Sequence, residues 1–259
     1  MKKYFALLFM LLNLLVKAQE KTPELITDRP DQTESSAVVP HKSLQIETGF
    51  VLENDETNLI VQKSFAYNTT LLRYGLLNNF ELRLGLDYLG ERIDIKNTDS
   101  TLSVSGISPI YTGFKVKITE EDGLKPEIAF LGGLVIPLTA SDVFKPEYSA
   151  AKIRFSFSHT LSERISLGYN LGAEWDGESV VPGYFHSLTL GIGITNNLGF
   201  FLESFGLVHE EGDTEHILDA GFTYLLLPNL QLDISGGIGL NDNTMDNFIS
   251  FGISYRIPE

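Results

Sequence analysis

The stretch Phe80-Glu81-Leu82-Arg83-Leu84-Gly85-Leu86-Asp87-Tyr88 alternates apolar side chains with charged or small ones. Successive side chains of a β-strand point to opposite faces, so a period of two predicts a strand with one apolar and one polar face. Residues 230–240 repeat the pattern, and twelve such stretches follow one another along the chain. They lie near residues 43–53, 60–76, 80–93, 106–118, 126–138, 147–160, 164–176, 184–195, 199–210, 215–226, 230–241 and 246–257.

The apolar faces of these strands predict a membrane barrel. Near the end of the chain one face carries Ile249, Phe251 and Ile253, whereas the opposite face carries the small residues Ser250 and Gly252. With no helical pattern to cover such faces, a lipid bilayer is the expected apolar environment, and a closed barrel leaves no unpaired edge within it. We therefore predict an all-β fold, a transmembrane antiparallel up-and-down β-barrel of about twelve strands. A soluble β-sandwich or lipocalin-like barrel is the alternative.

The residues before the first strand divide into two segments. Lys2 and Lys3 precede a short apolar run that is typical of a secretory signal peptide and too short for a spanning helix, which needs about 20 residues. The polar segment that follows contains three prolines and no alternation, and we interpret it as an extended periplasmic arm or a plug folded into the lumen. The predicted organisation is a signal peptide (1–18), the arm (19–42) and the barrel (43–259).

Composition narrows the function classes. The chain has no cysteine, which excludes disulfides and thiolate metal sites. Its formal charge of −15, or −18 after loss of the three lysines of the signal peptide, makes nucleic acid a poor partner. Short turns such as 77–79, 196–198 and 228–229 alternate with mostly longer connections. Because outer-membrane barrels have short periplasmic turns, this alternation places both termini in the periplasm.

The polar face of each strand is expected to line the lumen. The charged residues assigned to it are Glu47, Arg73, Glu81, Arg83, Lys115, Lys117, Arg154, Glu203, Asp219, Asp233 and Arg256. Barrel closure makes the last strand a neighbour of the first three, so the members on those four strands are expected to form one ion-pair network. This network is more readily explained by stability than by substrate binding.

The two sides of the predicted lumen differ in charge. Strands four to six carry an excess of inward lysine and arginine, whereas strands nine to eleven contribute acids. We hypothesise that the resulting transverse field orients dipolar or zwitterionic solutes. The alternative is that the N-terminal arm or folded loops fill the space and neutralise both walls.

Two groups of residues suggest chemistry without supporting it. His186-Ser187 and His159-Thr160 could belong to a lipid hydrolase, but adjacent strand residues point to opposite faces, so we assign no catalytic residue. The loop 209–216 concentrates carboxylates and two histidines and could bind a divalent cation, yet its spacing matches no metal motif. We therefore predict no enzyme activity, no metal and no cofactor.

Several motifs resemble one known family. They are Thr27-Asp28-Arg29-Pro30-Asp31-Gln32-Thr33-Glu34-Ser35, Leu44-Gln45-Ile46-Glu47-Thr48-Gly49-Phe50, Leu72-Arg73-Tyr74-Gly75-Leu76, Gly113-Phe114-Lys115 and Pro228-Asn229-Leu230-Gln231-Leu232-Asp233. The chain is similar over nearly all of its length to the transporter-like outer-membrane family labelled "putative meta-pathway of phenol degradation", in a Bacteroidetes-type form. The resemblance implies an outer-membrane porin or transporter of a Gram-negative bacterium.

We expect passive passage of small aromatic or amphipathic solutes, the aromatic link coming from the family label alone. Expected partners are outer-membrane lipid and lipopolysaccharide, small-molecule solutes and the barrel-insertion machinery. The alternatives are a plugged, non-transporting structural or interaction barrel and, less favoured, a surface lipid hydrolase.

Overall fold

Twelve antiparallel strands form the protein in a computed structural model that describes residues 23–209 and 214–257. The strands are β1 (Leu44–Glu56), β2 (Ile60–Leu77), β3 (Phe80–Gly85 and Tyr88–Ile95), β4 (Thr101–Ile107 and Ile110–Thr119), β5 (Glu127–Ile136), β6 (Ala150–Ser162), β7 (Ile165–Glu174), β8 (Gly183–Gly193), β9 (Leu198–Val208), β10 (Thr214–Leu227), β11 (Leu230–Gly239) and β12 (Asn247–Ile257). Two short 3-10 helices, Pro137–Thr139 and Asp142–Phe144, lie between β5 and β6. The predicted signal peptide lies outside the described residues.

The brief interruptions of β3 and β4 lie side by side and do not open the ladder. The amide of Ser108 donates to the carbonyl of Asp87 at 2.9 Å. The amide of Asp87 in turn donates to the hydroxyl of Ser108 at 2.9 Å. Each interrupted stretch therefore continues as one strand of the wall.

The sheet closes on itself. β1 pairs with β2 on one side and with β12 on the other, so Gln45 lies opposite both Arg73 and Arg256. Every other neighbouring pair is also antiparallel and consecutive in the chain. This up-and-down closure leaves no edge strand, which confirms the predicted transmembrane barrel of about twelve strands.

The barrel is apolar outside and polar inside. Outward side chains such as Leu84, Phe155 and Phe251 are 41%, 45% and 46% exposed. Inward side chains such as Arg73 and Lys115 are fully buried. This inversion of a soluble core is what a bilayer requires, and it confirms the assignment of the faces. Within the described part of the chain, no helix is long and apolar enough to cross a membrane.

The two ends of the barrel carry different connections. We call the end with connections 78–79, 120–126, 163–164, 194–197 and 228–229 the turn end. β1 begins at this end and β12 ends there, since Leu44 pairs with Ile257. The opposite, loop end carries connections 57–59, 96–100, 137–149, 175–182, 209–213 and 240–246, most of which are longer. Residues 210–213 belong to the acidic loop 209–216, for which no metal site was predicted, and are outside the described residues.

Candidate functional site

Part of the described chain before β1 lies inside the lumen. We call residues 27–39 the plug, and its members Thr33, Ser36 and Val39 are at most 5% exposed. Among the described residues it makes hydrogen bonds with every strand except β10. Its partners are Glu47, Arg73, Glu81, Lys115, Glu127, Ser156, Asn170, Ser187, Glu203, Asp233 and Ser250. These bonds join plug backbone or plug side chains to wall side chains, so charged and hydroxyl groups hold the plug rather than a β-ladder.

One plug carboxylate gathers three wall cations. Asp28 Oδ2 lies 3.0 Å from Arg73 Nη1, 2.9 Å from Arg83 Nη1 and 2.9 Å from Lys115 Nζ. The side chain of Asp28 is 4% exposed, so these contacts are shielded from water. We call these four residues the Asp28 cluster. It lies against β2, β3 and β4, whose period-two alternation points all three cations inward.

The Asp28 cluster carries two surplus positive charges, which the neighbouring wall carboxylates Glu47 and Glu81 offset. Burial by itself would raise the pKa of Asp28, but the positive charges of Arg73, Lys115 and Arg83 outweigh it and hold the pKa well below its usual value. Glu81 accepts from Arg73 at 2.9 Å and Glu47 accepts from Arg73 at 2.8 Å. The wall cations are thus shared between wall carboxylates and the plug.

A second plug residue extends this contact across the turn-end half of the lumen. Glu34 Oε2 lies 2.8 Å from Arg83 Nη2, and its backbone exchanges hydrogen bonds with the side-chain amide of Asn170 at 2.7 and 3.0 Å. The hydroxyl of Ser156 donates to the carbonyl of Glu34. Glu34 therefore links the cations of β3 and β4 to β6 and β7.

The residue next to Asp28 reaches the acidic side of the lumen. Arg29 Nη2 lies 3.0 Å from Asp233 Oδ1 on β11 and donates to the hydroxyl of Ser250 at 2.9 Å. Two inward glycines make room for this guanidinium, because a Cβ on Gly49 or Gly252 would lie within 2.5 Å of Arg29 side-chain atoms. The absence of side chains at these two positions therefore fits the bound arginine.

Glu203 and Asp219 lie opposite each other on β9 and β10. Glu203 accepts the plug amides of Gln32 at 2.7 Å and Thr33 at 2.8 Å. Asp219 is 3% exposed, and its carboxylate oxygens accept no hydrogen bond from the plug among the described residues. Burial raises the pKa of the plug residue Asp31 well above its usual value, and the negative charges of Glu203 and Asp219 add to this effect. This part of the lumen therefore brings three carboxyl groups together, Asp31 of the plug with Glu203 and Asp219 of the wall.

Two pairs of hydroxyl groups join plug and wall directly. The hydroxyl of Thr33 lies 2.7 Å from that of Ser187 on β8. The hydroxyl of Ser36 lies 2.8 Å from that of Ser158 on β6 and 2.8 Å from Glu127 on β5. Both pairs mark places where plug and wall are in contact through short side chains.

A cavity of about 530 Å³ lies above the plug and extends towards the loop end. Asp28, Arg29, Pro30, Asp31 and Gln32 form its floor. Its apolar lining includes Tyr111, Leu131, Phe205, Ile217, Met245 and Phe248, and its charged lining includes Glu53, Asp87, Lys152, Arg154 and Glu174. The cavity is large enough for a small organic molecule and offers it both apolar and charged surface.

The structure brings together only part of the expected network. Glu47, Arg73, Glu81 and Arg83 meet as expected, and Lys115 joins them through Asp28. Arg256 does not: its guanidinium donates to the carbonyls of Glu24 and Pro23, which precede the plug. The prediction for Arg256 was wrong because the sequence did not show that the arm would fill the space beside β12.

Local pairs neutralise the other predicted lumen cations. Lys117 lies 2.7 Å from Glu120 and 3.5 Å from Glu127 near the turn end. Arg154 pairs with Glu174 and lies 3.6 Å from the ring centroid of Phe185. The excess positive charge expected on strands four to six is therefore compensated within the wall, except at Lys115.

Sequence reasoning missed the plug residues as site residues. Asp28, Arg29 and Glu34 contribute the charges that the wall residues bind, yet their segment shows no alternation and by itself predicts only an arm or a plug. A usable signal was present: the motif Thr27 to Ser35 has more charged and hydroxyl groups than a plain spacer needs. The wall partners of Asp28, Arg29 and Glu34 could not be predicted from the sequence, because the paired residues are far apart in the chain.

The alternatives from catalysis and metal binding gain no geometric support. The hydroxyl of Ser187 is buried against Thr33 in the lumen, whereas the ring of His186 packs against His216, 5.3 Å away between centroids. In the described part of loop 209–216, His209 and Glu215 approach to 3.9 Å. No group of three or more metal-ligating side chains is found among the described residues.

Solved structures with the same architecture include outer-membrane proteins. An outer membrane channel from Pseudomonas putida F1 is 11% identical and aligns over 88% of this chain and 100% of its own, with a TM-score of 0.66. The translocator domain of the autotransporter NalP from Neisseria meningitidis is 10% identical and aligns over 83% of this chain and 88% of its own, with a TM-score of 0.52. At such identities the likeness shows a shared fold. No curated protein matches the sequence.

A family model described as "Putative MetA-pathway of phenol degradation" matches residues 27–257. The matched region begins at the first residue of the plug and ends at the last residue of β12. Plug and barrel are thus covered by one family description, and the chain belongs to this family.

Proposed function

We propose that the protein is an outer-membrane channel through which small aromatic or amphipathic solutes pass passively when the plug moves aside. The observation that carries the proposal is the cavity of about 530 Å³ whose floor is the plug. Side chains and plug backbone, not strand pairing, hold that floor in place. Such a floor can leave without opening the barrel wall, since every strand keeps its ladder partners.

The lining of the cavity supports the class of solute. Phe205, Ile217 and Phe248 offer apolar contact, while Asp87 and Arg154 offer charge. Ligand pockets combine apolar surface with a few placed polar groups in this way. The link to aromatic compounds comes from the family description, and the mixed lining is compatible with it.

The cellular setting follows from the same proposal. The chain is exported by residues 1–18, inserted by the barrel-insertion machinery and surrounded by outer-membrane lipid and lipopolysaccharide. The turn end, with both termini, faces the periplasm, because short turns are periplasmic in such barrels. The protein acts without a catalytic step, and the setting is a Gram-negative bacterium of Bacteroidetes type.

A second candidate is a permanently plugged barrel with a structural or interaction role. The observation that favours it is the breadth of the plug's contacts, which reach strands on all sides of the lumen. Buried charge pairs such as those of Asp28 are costly to separate, by about 3–5 kcal/mol when one partner is removed. Movement of the plug therefore decides between the two candidates.

A reversible lock on the plug tests the proposal. The chain has no cysteine, so the double substitution Ser36→Cys with Ser158→Cys introduces only one possible disulfide. The two hydroxyl groups lie 2.8 Å apart, which is close enough for a disulfide after replacement. Single-channel recording in planar bilayers is expected to show loss of conductance on oxidation and recovery on reduction. Each single substitution serves as the matched control and is expected to conduct under both conditions.

Two outcomes contradict the channel. If the oxidised double variant conducts as well as its reduced form, the plug does not gate the pore. If the unmodified protein and a variant lacking residues 20–40 are both silent in the bilayer, the structural barrel is favoured instead.

A further inference from the structure

We propose that the lumen contains a binding site for solutes that carry both a carboxylate and a guanidinium or ammonium group. Asp28 and Arg29 of the plug now occupy this site as an internal ligand. The inference rests on the proposed function in one respect, namely that the plug can leave. It adds the charge pattern of the solute, which the channel proposal does not specify.

The half of the site that would bind the solute carboxylate consists of the three wall cations around Asp28. Arg73, Arg83 and Lys115 come from three adjacent strands, and each places a nitrogen within 3.0 Å of the same carboxylate oxygen. Two nearby wall carboxylates, Glu47 and Glu81, offset two of these charges. Removal of the plug leaves one surplus positive charge here, which a solute carboxylate can neutralise with charge-assisted hydrogen bonds.

The other half, which would bind the solute's guanidinium or ammonium group, surrounds the side chain of Arg29. Asp233, Ser250 and Thr69 accept from the Arg29 guanidinium at 3.0, 2.9 and 3.3 Å. A Cβ at Gly252 would lie 2.2 Å from Arg29 Nε, so the wall leaves a hollow of guanidinium size at this point. Among the described residues Asp233 forms an ion pair with Arg29 alone, so loss of Arg29 leaves a buried carboxylate uncompensated.

The pairing of these halves explains why one solute should fill both. Asp28 and Arg29 are adjacent in sequence, so the two halves lie within the span of one small dipolar molecule. An unpaired buried charge is costly, so release of the plug is opposed until both halves are satisfied again. A solute that binds only the plug-free state shifts the equilibrium towards it, and a singly charged solute satisfies only half of the requirement.

The cavity gives such a solute access to the site. Asp28, Arg29 and Arg83 all line the cavity that extends to the loop end, and so do Thr69 and Ser250. A competitor entering from the loop end therefore reaches Arg83 on one half of the site, and Thr69 and Ser250 on the other, before the plug has moved.

The test uses the full chain with one reporter thiol. Ser36 is 1% exposed, so Ser36→Cys is expected to react with a maleimide only when the plug is released. The probe is the blocked dipeptide N-acetyl-Asp-Arg-amide, which copies the two plug side chains. Its matched controls are N-acetyl-Asn-Arg-amide and N-acetyl-Asp-Gln-amide, each lacking one charge. A Ser100→Cys variant in an exposed loop reports any direct effect of the probes on the reagent.

The doubly charged probe is expected to accelerate labelling of Ser36→Cys by about 10-fold at saturation, against less than about 2-fold for either control. Adding Asp233→Asn is expected to reduce the acceleration to the level of the singly charged controls, whereas Asp142→Asn, in an exposed 3-10 helix, leaves it unchanged. Equal acceleration by all three probes, or none by any of them, overturns the inference. Because labelling needs no ion current, a silent channel counts against the proposed function alone, and a conducting channel with unresponsive labelling counts against this inference alone.

Discussion

The lumen holds its plug in opposite ways on two walls. On the basic wall, formed by Arg73, Arg83 and Lys115, a single plug carboxylate lies within 3.0 Å of all three cations. On the acidic wall, formed by Glu203, Asp219 and Asp233, one plug arginine pairs with Asp233, while Asp219 makes no hydrogen bond with the plug among the described residues. On the basic wall every cation thus contacts the plug carboxylate, whereas on the acidic wall only Asp233 pairs with a plug cation.

The difference indicates how the plug is released. Detaching Asp28 uncovers buried cations, which is costly. Moving Asp31 away from Glu203 and Asp219 instead lets its carboxyl ionise, because burial and these two neighbours raise its pKa in the docked plug. We therefore expect the plug to loosen first at the acidic wall and to depend most strongly on the basic one. Three changes test this comparison, and each is read by thiol labelling or by hydrogen exchange of the plug.

The largest effect is expected from Asp28→Asn, which removes the carboxylate shared by three cations. Breaking a buried pair costs about 3 kcal/mol or more, which corresponds to more than about 100-fold in the docking equilibrium. Labelling of Ser36→Cys should rise accordingly, while circular dichroism of the barrel stays unchanged. The matched control Asp142→Asn removes an exposed carboxylate and should have no effect. A labelling rate equal to that of the control would show that the basic wall does not hold the plug.

An intermediate effect is expected from Gly252→Ala. The new Cβ would lie 2.2 Å from Arg29 Nε, and the crowding atoms belong to a flexible side chain, so Arg29 rather than the barrel should move. Loss of one charged hydrogen bond costs about 1.5–3 kcal/mol, so plug release should rise by about 10-fold or somewhat more. Gly236→Ala is the control on the neighbouring strand, because its new Cβ would lie 3.1 Å from the Phe248 carbonyl oxygen and would not touch the plug. If both variants label equally fast, the Arg29 contact does not secure the plug.

The smallest effect, and one of opposite sign, is expected from Asp31→Asn. The raised pKa of Asp31 means that the docked plug retains a proton which the released plug loses, so docking weakens as pH rises above the ordinary carboxyl pKa of about 3.9. Replacing the carboxyl removes this contribution, so release at neutral pH should fall by a few-fold and the pH slope should become shallower.

Hydrogen exchange of residues 27–39, corrected for intrinsic rates between pH 5 and 8, measures this slope. If the pH slope in Asp31→Asn is unchanged or steeper, a group other than Asp31 sets the pH dependence of docking. Asp28→Asn should behave differently over the same range, because the pKa of Asp28 is lowered and its contribution is lost only as pH falls below the ordinary carboxyl range.

Much of the barrel was predictable from residue order. Alternation along a strand decides which side chains share a face, and this rule placed Arg73, Arg83 and Lys115 in the lumen before any partner was known. The same rule separated Ser187 from His186. The rule also places Arg256 in the lumen, but it does not give the partners of this side chain, which are main-chain carbonyls of the arm.

The plug could not be derived in the same way. Its segment has no periodicity, and its position depends on contacts such as Arg29 with Asp233, which are 204 residues apart in the chain. Such contacts exist only after twelve strands have closed in a particular register, because closure brings the first and last strands to the same side of the lumen.

The order of residues by itself therefore determined the strands, their two faces and the signs of the lumen charges, since strand geometry is local and repeats every two residues. Only the tertiary structure decided that Asp28 and Arg29 lie between two oppositely charged walls. That outcome depends on which distant side chains a closed barrel brings within hydrogen-bond distance, and no local pattern encodes it.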